Sequence, residues 1–246
     1  MTDPLFDFSG QVALVTGGSR GLGRQMALAL AARGADIIIA SRKADACEVV
    51  AEEVRALGRR ALAIAAHVGR WAECDALAEA AIAGMGRVDV LINNAGMGPR
   101  LPSHQVTEAM WDSVLNLNLK GPFRLASQLG RRMADGAGGV IINISSIASL
   151  APMPEVVPYA AAKAGLNAMT TSLARELAPK VRVNAIAAGP FLTDIALAWP
   201  EEMRERADNA LGRPGQPVEI VSTALWLASP ASSFVTGAVV RCDGGA

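Results

Sequence analysis

Tyr159 and Lys163 stand four residues apart in the run Tyr-Ala-Ala-Ala-Lys. On a helix this spacing puts both side chains on one face, with Cβ atoms about 6 Å apart. A phenol with a free pKa of about 10 is mostly protonated at neutral pH, and a nearby ammonium favours its phenolate. A phenol tuned in this way can serve as acid or base for a carbonyl–alcohol pair. Tyr159 is the only tyrosine in the chain, and it follows a proline-rich segment, 152–158, of the kind that borders a cleft. Taken alone, Tyr-x-x-x-Lys also describes a solvated helix face. Ser145 and Ser146 close an apolar run that begins at Val140. A hydroxyl at such a strand end can hydrogen-bond a substrate oxygen, although a serine can also simply finish a strand.

Thr16-Gly17-Gly18-Ser19-Arg20-Gly21-Leu22-Gly23 forms a second constellation. It follows a short apolar run and opens a helical pattern. Gly17, Gly21 and Gly23 let the backbone turn sharply and approach a ligand closely. The unpaired N–H groups of the helix start, around Leu22, then suit a pyrophosphate. Tight helix–sheet packing would use the same glycines. Placement at the first strand–helix junction of an alternating chain points instead to a dinucleotide. The end of the second apolar run discriminates between cofactors. NAD needs an acid there for the adenosine ribose. This chain has Ser41-Arg42, and Asp36 lies at the opposite end of the run. Arg42 can stack on adenine and pair with a 2′-phosphate. Arg20 offers a second phosphate contact, and Ser19 and Ser41 offer hydroxyls. The expectation is NADP(H), with NAD(H) as the alternative; Arg42 as a solvated surface arginine is the competing reading.

These residues need a frame to hold them. Short apolar runs at 12–16, 37–40, 62–68, 88–93, 140–145, 181–187 and 238–242 alternate with helical patterns at 20–33, 44–57, 71–85, 108–133, 159–178 and 217–228. The 108–133 helix is expected to bend near Gly121-Pro122, because proline removes a helix hydrogen bond. All-apolar strands that alternate with helices make a parallel sheet covered on both faces. The fold class is therefore α/β, a doubly wound parallel sheet of about seven strands, in one domain spanning 1–246. Of 246 residues, 51% are hydrophobic and 19% are charged, with Lys plus Arg and Asp plus Glu at 23 each. That balance argues against a disordered chain and against a nucleic-acid partner. No apolar stretch reaches the ~18 residues of a membrane helix, and Met1-Thr2-Asp3-Pro4 lacks a signal peptide's cationic start. Cys47, Cys74 and Cys242 are odd in number and far apart, and His67 and His104 are the only histidines. The expectation is a cytoplasmic protein with neither disulfide framework nor metal site.

The motifs together resemble the short-chain dehydrogenase/reductase family, in its compact single-domain branch, across essentially the whole chain. They are Thr16-Gly17-x-x-x-Gly21-x-Gly23, Asn93-Asn94-Ala95-Gly96, Asn118, Ser146, Tyr159-x-x-x-Lys163 and the terminal Asp243-Gly244-Gly245. The resemblance implies that Tyr159 is the proton donor or acceptor and that Ser146, rather than Ser145, polarises the carbonyl. It implies that Lys163 binds the nicotinamide ribose and lowers the phenol pKa, and that Asn118 holds a water linking Lys163 to solvent. Asn94, Ala95 and Gly96 would line the cofactor; Phe191 and Thr193 would meet the nicotinamide carboxamide. A homotetramer or homodimer is implied as well, built through the two long helices and the last strand.

The chain departs from the family pattern in three places, one being that it ends one residue after Gly245. His67-Val68 replaces the usual Asp-Val at the end of the third strand, where the Val68 backbone is the remaining adenine contact. Ala188-Gly189 followed by Pro190 replaces the usual Pro-Gly. Ser41-Arg42-Lys43 with His67-Val68-Gly69 resembles the NADPH-dependent carbonyl and retinol reductases of the family. Residues 191–215 resemble its substrate lid, with a short charged helix expected at 201–209. Leu192, Ile195, Leu197 and Trp199, with Met153 and Val156, suggest an apolar pocket, and so a ketone, quinone, steroid-like or acyl substrate. A 3-oxoacyl-acyl-carrier-protein reductase is the main alternative. Such enzymes often carry a basic residue before the fifth strand; Gly138-Gly139 stand there, and Arg131 and Arg132 are the substitutes. A nucleotide-sensing protein without catalysis is the alternative of another class. Against it, Asn118, Ser146, Tyr159 and Lys163 are all present.

Overall fold

The computed structural model describes residues 3–194, 196, 199 and 201–246. Seven parallel strands form one sheet: β1 (Val12–Thr16), β2 (Asp36–Ser41), β3 (Ala61–Ala65), β4 (Val90–Asn93), β5 (Gly139–Ser146), β6 (Val181–Ala188) and β7 (Val239–Cys242). Their order is β3-β2-β1-β4-β5-β6-β7, a doubly wound sheet whose direction of growth reverses between β1 and β4. Helices α1 (Gly21–Ala31), α2 (Ala44–Ala56), α3 (Trp71–Met85), α4 (Glu108–Leu115), α5 (Gly121–Asp135), α6 (Val157–Glu176), α7 (Glu201–Glu205) and α8 (Val221–Ala228) complete it.

Strand side chains alternate between two cores, because successive Cβ atoms point to opposite faces of a sheet. Val15, Ile37, Ile39, Ile92 and Ile142 pack with Met26 and Leu30 of α1, Val50 of α2 and Leu225 of α8. Leu14, Ile38, Leu91, Ile141 and Val183 pack with Leu77 of α3, Leu125 and Leu129 of α5 and Leu173 of α6. The central strands, such as β1 and the Ile37–Ala40 part of β2, are apolar on both faces for that reason, which is why they read as continuous hydrophobic runs.

Three elements differ from the sequence-based expectation. β3 ends at Ala65 rather than residue 68. Beyond the last rung, Ala66 N–H to Ser41 C=O, the His67 N–H turns to the Glu73 carboxylate and the Gly69 N–H to the His67 ring. The break in the 108–133 helix begins earlier than Gly121: a π-helical turn, Asn116–Lys120, separates α4 from α5. Pro122 has no N–H for the Asn118 carbonyl, so an α-helical hydrogen bond cannot form there and the wider turn replaces it. The charged helix after the sixth strand is five residues long, Glu201–Glu205. Ile195 and Leu197, expected in the apolar pocket, lie outside the described residues. Among the described residues, no helix is long and apolar enough to cross a membrane.

Candidate active site

Ligands of open α/β sheets bind beyond the carboxyl ends of the strands, at the point where the winding reverses. The register places the chemistry there. β4 ends at Asn93, opposite Asn143, while β5 runs three residues further to Ser146, paired with Ala188. Ser145 and Ser146 thus stand beyond the end of β4, beside the first turns of α6.

Helix α6 starts at Val157, with Pro158 in its first turn, where a missing N–H costs nothing. Tyr159 follows at once and Lys163 lies one turn on, its Nζ 5.6 Å from the centre of the phenol ring. Gly98 lies against that ring; a Cβ there would come within 3.2 Å of Tyr159 Cδ2. Burial raises the Tyr159 pKa, and the Ser146 hydroxyl beside it acts the other way. Lys163 is buried, and its pKa is pushed down to about 8 by desolvation. Its ammonium donates to the Ile144 carbonyl at 2.7 Å, which satisfies one of three N–H groups.

A polar network braces this cluster. Ser149 donates to the Ser146 carbonyl and receives from Asn167 at 2.8 Å, one turn beyond Lys163. Deeper in the sheet, Asn93 donates to Asn143 and Asn143 to Thr170 of α6, each at 2.9 Å. Sequence reasoning passed over Asn143 and Thr170. An asparagine inside the apolar run Val-Ile-Ile-Asn-Ile was the available signal, because a buried amide must find partners.

The glycine turn has the shape its sequence suggested. Gly17 has φ +63°, and a Cβ on Gly23 would fall 2.4 Å from the Gly17 carbonyl oxygen. Asn94 staples this turn: its side chain donates to the Thr16 and Gly17 carbonyls, and Thr16 Oγ1 accepts from the Asn94 and Ala95 N–H groups. Gly96 faces the other constellation, where a Cβ would lie 2.7 Å from Asn118 Oδ1 and 3.6 Å from Lys163 Nζ. A cradle without side chains therefore runs from the α1 start to a buried ammonium with donors to spare. These residues fit a dinucleotide laid across the sheet edge.

Several predicted contacts sit differently. The Asn118 amide is consumed by backbone: it donates to the Met97 and Val114 carbonyls and accepts from the Met97 N–H. It fixes the loop after β4, leaving the second lone pair of Oδ1 as the side-chain group that could hold a water. Phe191 is buried in the core beneath α1 and α8, its ring against Gly215, so its side chain does not reach toward a carboxamide. Val68 is buried, and its carbonyl accepts from the Cys74 thiol, which leaves the backbone N–H for a ligand. The His67 Nδ1 accepts from Gly69 at 3.2 Å. Leu22 packs on the core, so only its backbone can meet an anion. Gly189 packs against Asp243 and donates to the Cys242 carbonyl. Thr193 lies over Gly21, 3.3 Å from where its Cβ would be. Ser19 is half-buried in the glycine turn, and the half-buried Ser41 hydroxyl contacts Cys47 Sγ at 3.0 Å. Arg42 is exposed with no ion-pair partner among the described residues, whereas Arg20 is paired with Asp194 at 2.9 Å.

The family model for short chain dehydrogenases matches residues 11–204. The chain belongs to this family. A 3-oxoacyl-[acyl-carrier-protein] reductase of Staphylococcus aureus is 37% identical over 238 residues, covering 95% of this chain and 96% of that one. A 7α-hydroxysteroid dehydrogenase, solved with NADH and 7-oxo glycochenodeoxycholic acid, superposes with a TM-score of 0.93 at 33% identity, covering 100% of this chain and 98% of that one. A blue fluorescent protein from a metagenomic library, solved with NADPH, gives 0.92 at 38% identity, covering 97% and 98%. Membership makes this short-chain dehydrogenase an oxidoreductase of carbonyl and alcohol groups that works with a nicotinamide dinucleotide.

Proposed function

We propose that this short-chain dehydrogenase interconverts an apolar ketone or acyl carbonyl and its secondary alcohol with NADP(H), Tyr159 serving as acid or base. One observation carries the reading: the Tyr159 phenol, the Ser146 hydroxyl and a buried Lys163 ammonium with unused donors converge beside a glycine cradle. Bound NADPH would supply the hydride. Ser146 donates a hydrogen bond to the carbonyl oxygen as charge develops on it. Tyr159 delivers the proton to that oxygen. Lys163 holds the nicotinamide ribose with its free N–H groups, and its charge favours the phenolate that remains. A water linking Lys163 to solvent is held at Asn118, whose Oδ1 keeps a second lone pair.

The substrate approaches past two tied loops. The Leu101 N–H donates to the Glu155 carbonyl at 2.7 Å, and Arg100 lies 3.7 Å from the Glu155 carboxylate, so the charges at this rim offset each other. On the same loop Val156 is buried and Met153 is exposed. These features favour an apolar group over a charged one. Docking of an acidic carrier protein has less support: Arg131 pairs with Asp135 and Arg132 with Glu79. Phe234, fully exposed, and half-exposed Trp111 and Phe123 support a homotetramer or homodimer.

The test is NADPH oxidation against a panel of ketones, diketones, quinones and 3-oxoacyl thioesters. Turnover of an apolar ketone is expected; cofactor binding without turnover anywhere in the panel would leave a sensor instead. Cofactor choice is tested by Arg42→Asp. Loss of one charge-assisted phosphate contact, worth about 1.5–3 kcal/mol, should weaken NADPH binding roughly 10- to 100-fold and leave NADH nearly unchanged. An unchanged preference in fluorescence titrations would count against Arg42.

A further inference from the structure

Arg20 lies in the glycine turn, between Ser19 and the first residue of α1, and its side chain makes no cap hydrogen bond to the helix. Its Nη1 reaches Asp194, in the segment that follows β6, at 2.9 Å. Sheet order gives this direction a meaning. From β1, the strands β2 and β3 lie on one side, and β4, β5 and β6 on the other. Tyr159, Ser146 and Lys163 stand on the β4–β6 side, so a dinucleotide whose nicotinamide meets them has its adenosine over β2 and β3, beside Ser41 and Arg42. Arg20 is thus engaged by an acid of the segment after β6 and reaches the adenosine end only by breaking that pair. Thr193 packs over Gly21 next to this pair, so the contact holds the residue before Asp194 as well.

We propose that Asp194 is a specificity-determining residue: it competes with the adenosine 2′-phosphate for the Arg20 guanidinium, so that NADPH must break this pair before it gains the contact. The inference rests on the cofactor reading above. The pair is exposed on both sides, at 67% and 52%, so its own contribution to stability is small. Such a pair is easily released by removing one partner. A freed arginine beside a phosphate forms a charge-assisted contact stronger than the ion pair it leaves. NADH has no 2′-phosphate, so release of Arg20 favours NADPH selectively.

Equilibrium titrations of NADPH and NADH, followed by cofactor fluorescence, test this on the full-length protein. Asp194→Asn is expected to tighten NADPH about fivefold relative to NADH, with the gain shrinking as salt is raised. Arg20→Gln in the Asp194→Asn background is expected to abolish the gain, and Asp194→Glu to show none. An unchanged NADPH-to-NADH ratio in Asp194→Asn overturns the proposal. So does an equal loss for both cofactors, which would make the pair a strap over the pyrophosphate, and so does a gain that survives without Arg20. The cofactor reading fails separately, if the unsubstituted protein binds NADH more tightly than NADPH, since the shift on substitution is measured against that baseline.

Discussion

Tyr159→Phe is expected to lower turnover by roughly 10²–10⁴-fold while cofactor binding and folding stay in place. The substitution removes one oxygen and keeps the ring. The ring is what packs against Gly98 and lies over the α6 turn carrying Lys163, so the packing has no reason to change. What is lost is the proton donor on the oxygen that gains charge, and the partner of the Ser146 hydroxyl. Single-turnover measurements at saturating NADPH isolate the effect from binding. Turnover equal to that of the unsubstituted protein would remove Tyr159 as the acid. A parallel loss of NADPH affinity would assign it to cofactor binding instead.

Lys163→Met is expected to abolish turnover and, at neutral pH, to raise the melting temperature of the cofactor-free protein by a few degrees. Lys163 is only 3% exposed, and burial lowers its pKa from 10.5 to about 8. Holding the charge inside therefore costs about 3 kcal/mol at pH 7. Methionine fills the space without that cost, although the Ile144 carbonyl loses its donor, which returns about 1–2 kcal/mol. The sign follows from proton counting. Between pH 8 and 10.5 the unfolded chain holds a proton on this lysine that the folded chain has released, so stability rises with pH in that window. The penalty is complete below pH 8 and gone above 10.5. Calorimetry of both proteins across pH 7–10.5 should show the variant's advantage disappearing at the alkaline end. A variant less stable at pH 7 would mean that the ammonium is held by more than one carbonyl in the free protein. Carbonyl reduction by the unsubstituted protein is expected to decline above pH 8, as the charge that favours the phenolate is lost.

The two variants dissect one design. In the proposed function the buried Lys163 supplies a cation where a ribose and the phenol would meet, with two N–H groups left for ribose hydroxyls. Residues around it are braced by the Asn143–Thr170 and Ser149–Asn167 contacts, which hold β5 and α6 in one register. Such bracing is what keeps reacting groups in place without rearrangement during the reaction.

Much of this was legible from local order. Continuous apolar runs, buried on both faces, define a parallel sheet, and glycines at Gly17, Gly21 and Gly23 define a turn that approaches a ligand, because both depend on neighbours in the chain. Tyr159 and Lys163 were readable for the same reason: helical geometry alone puts them on one face. Tertiary structure decided what depends on distant partners. Arg20 meets an acid 174 residues away, so no window of sequence shows that its charge is already taken. The Asn118 amide closes on the loop after β4, and the Phe191 ring turns into the core, contacts that motif position alone does not show. Backbone periodicity is a local property, and it set the frame and the reacting pair. The remaining capacity of each polar group is a property of the whole packed molecule, because a donor or acceptor is spent by whichever partner the fold brings to it.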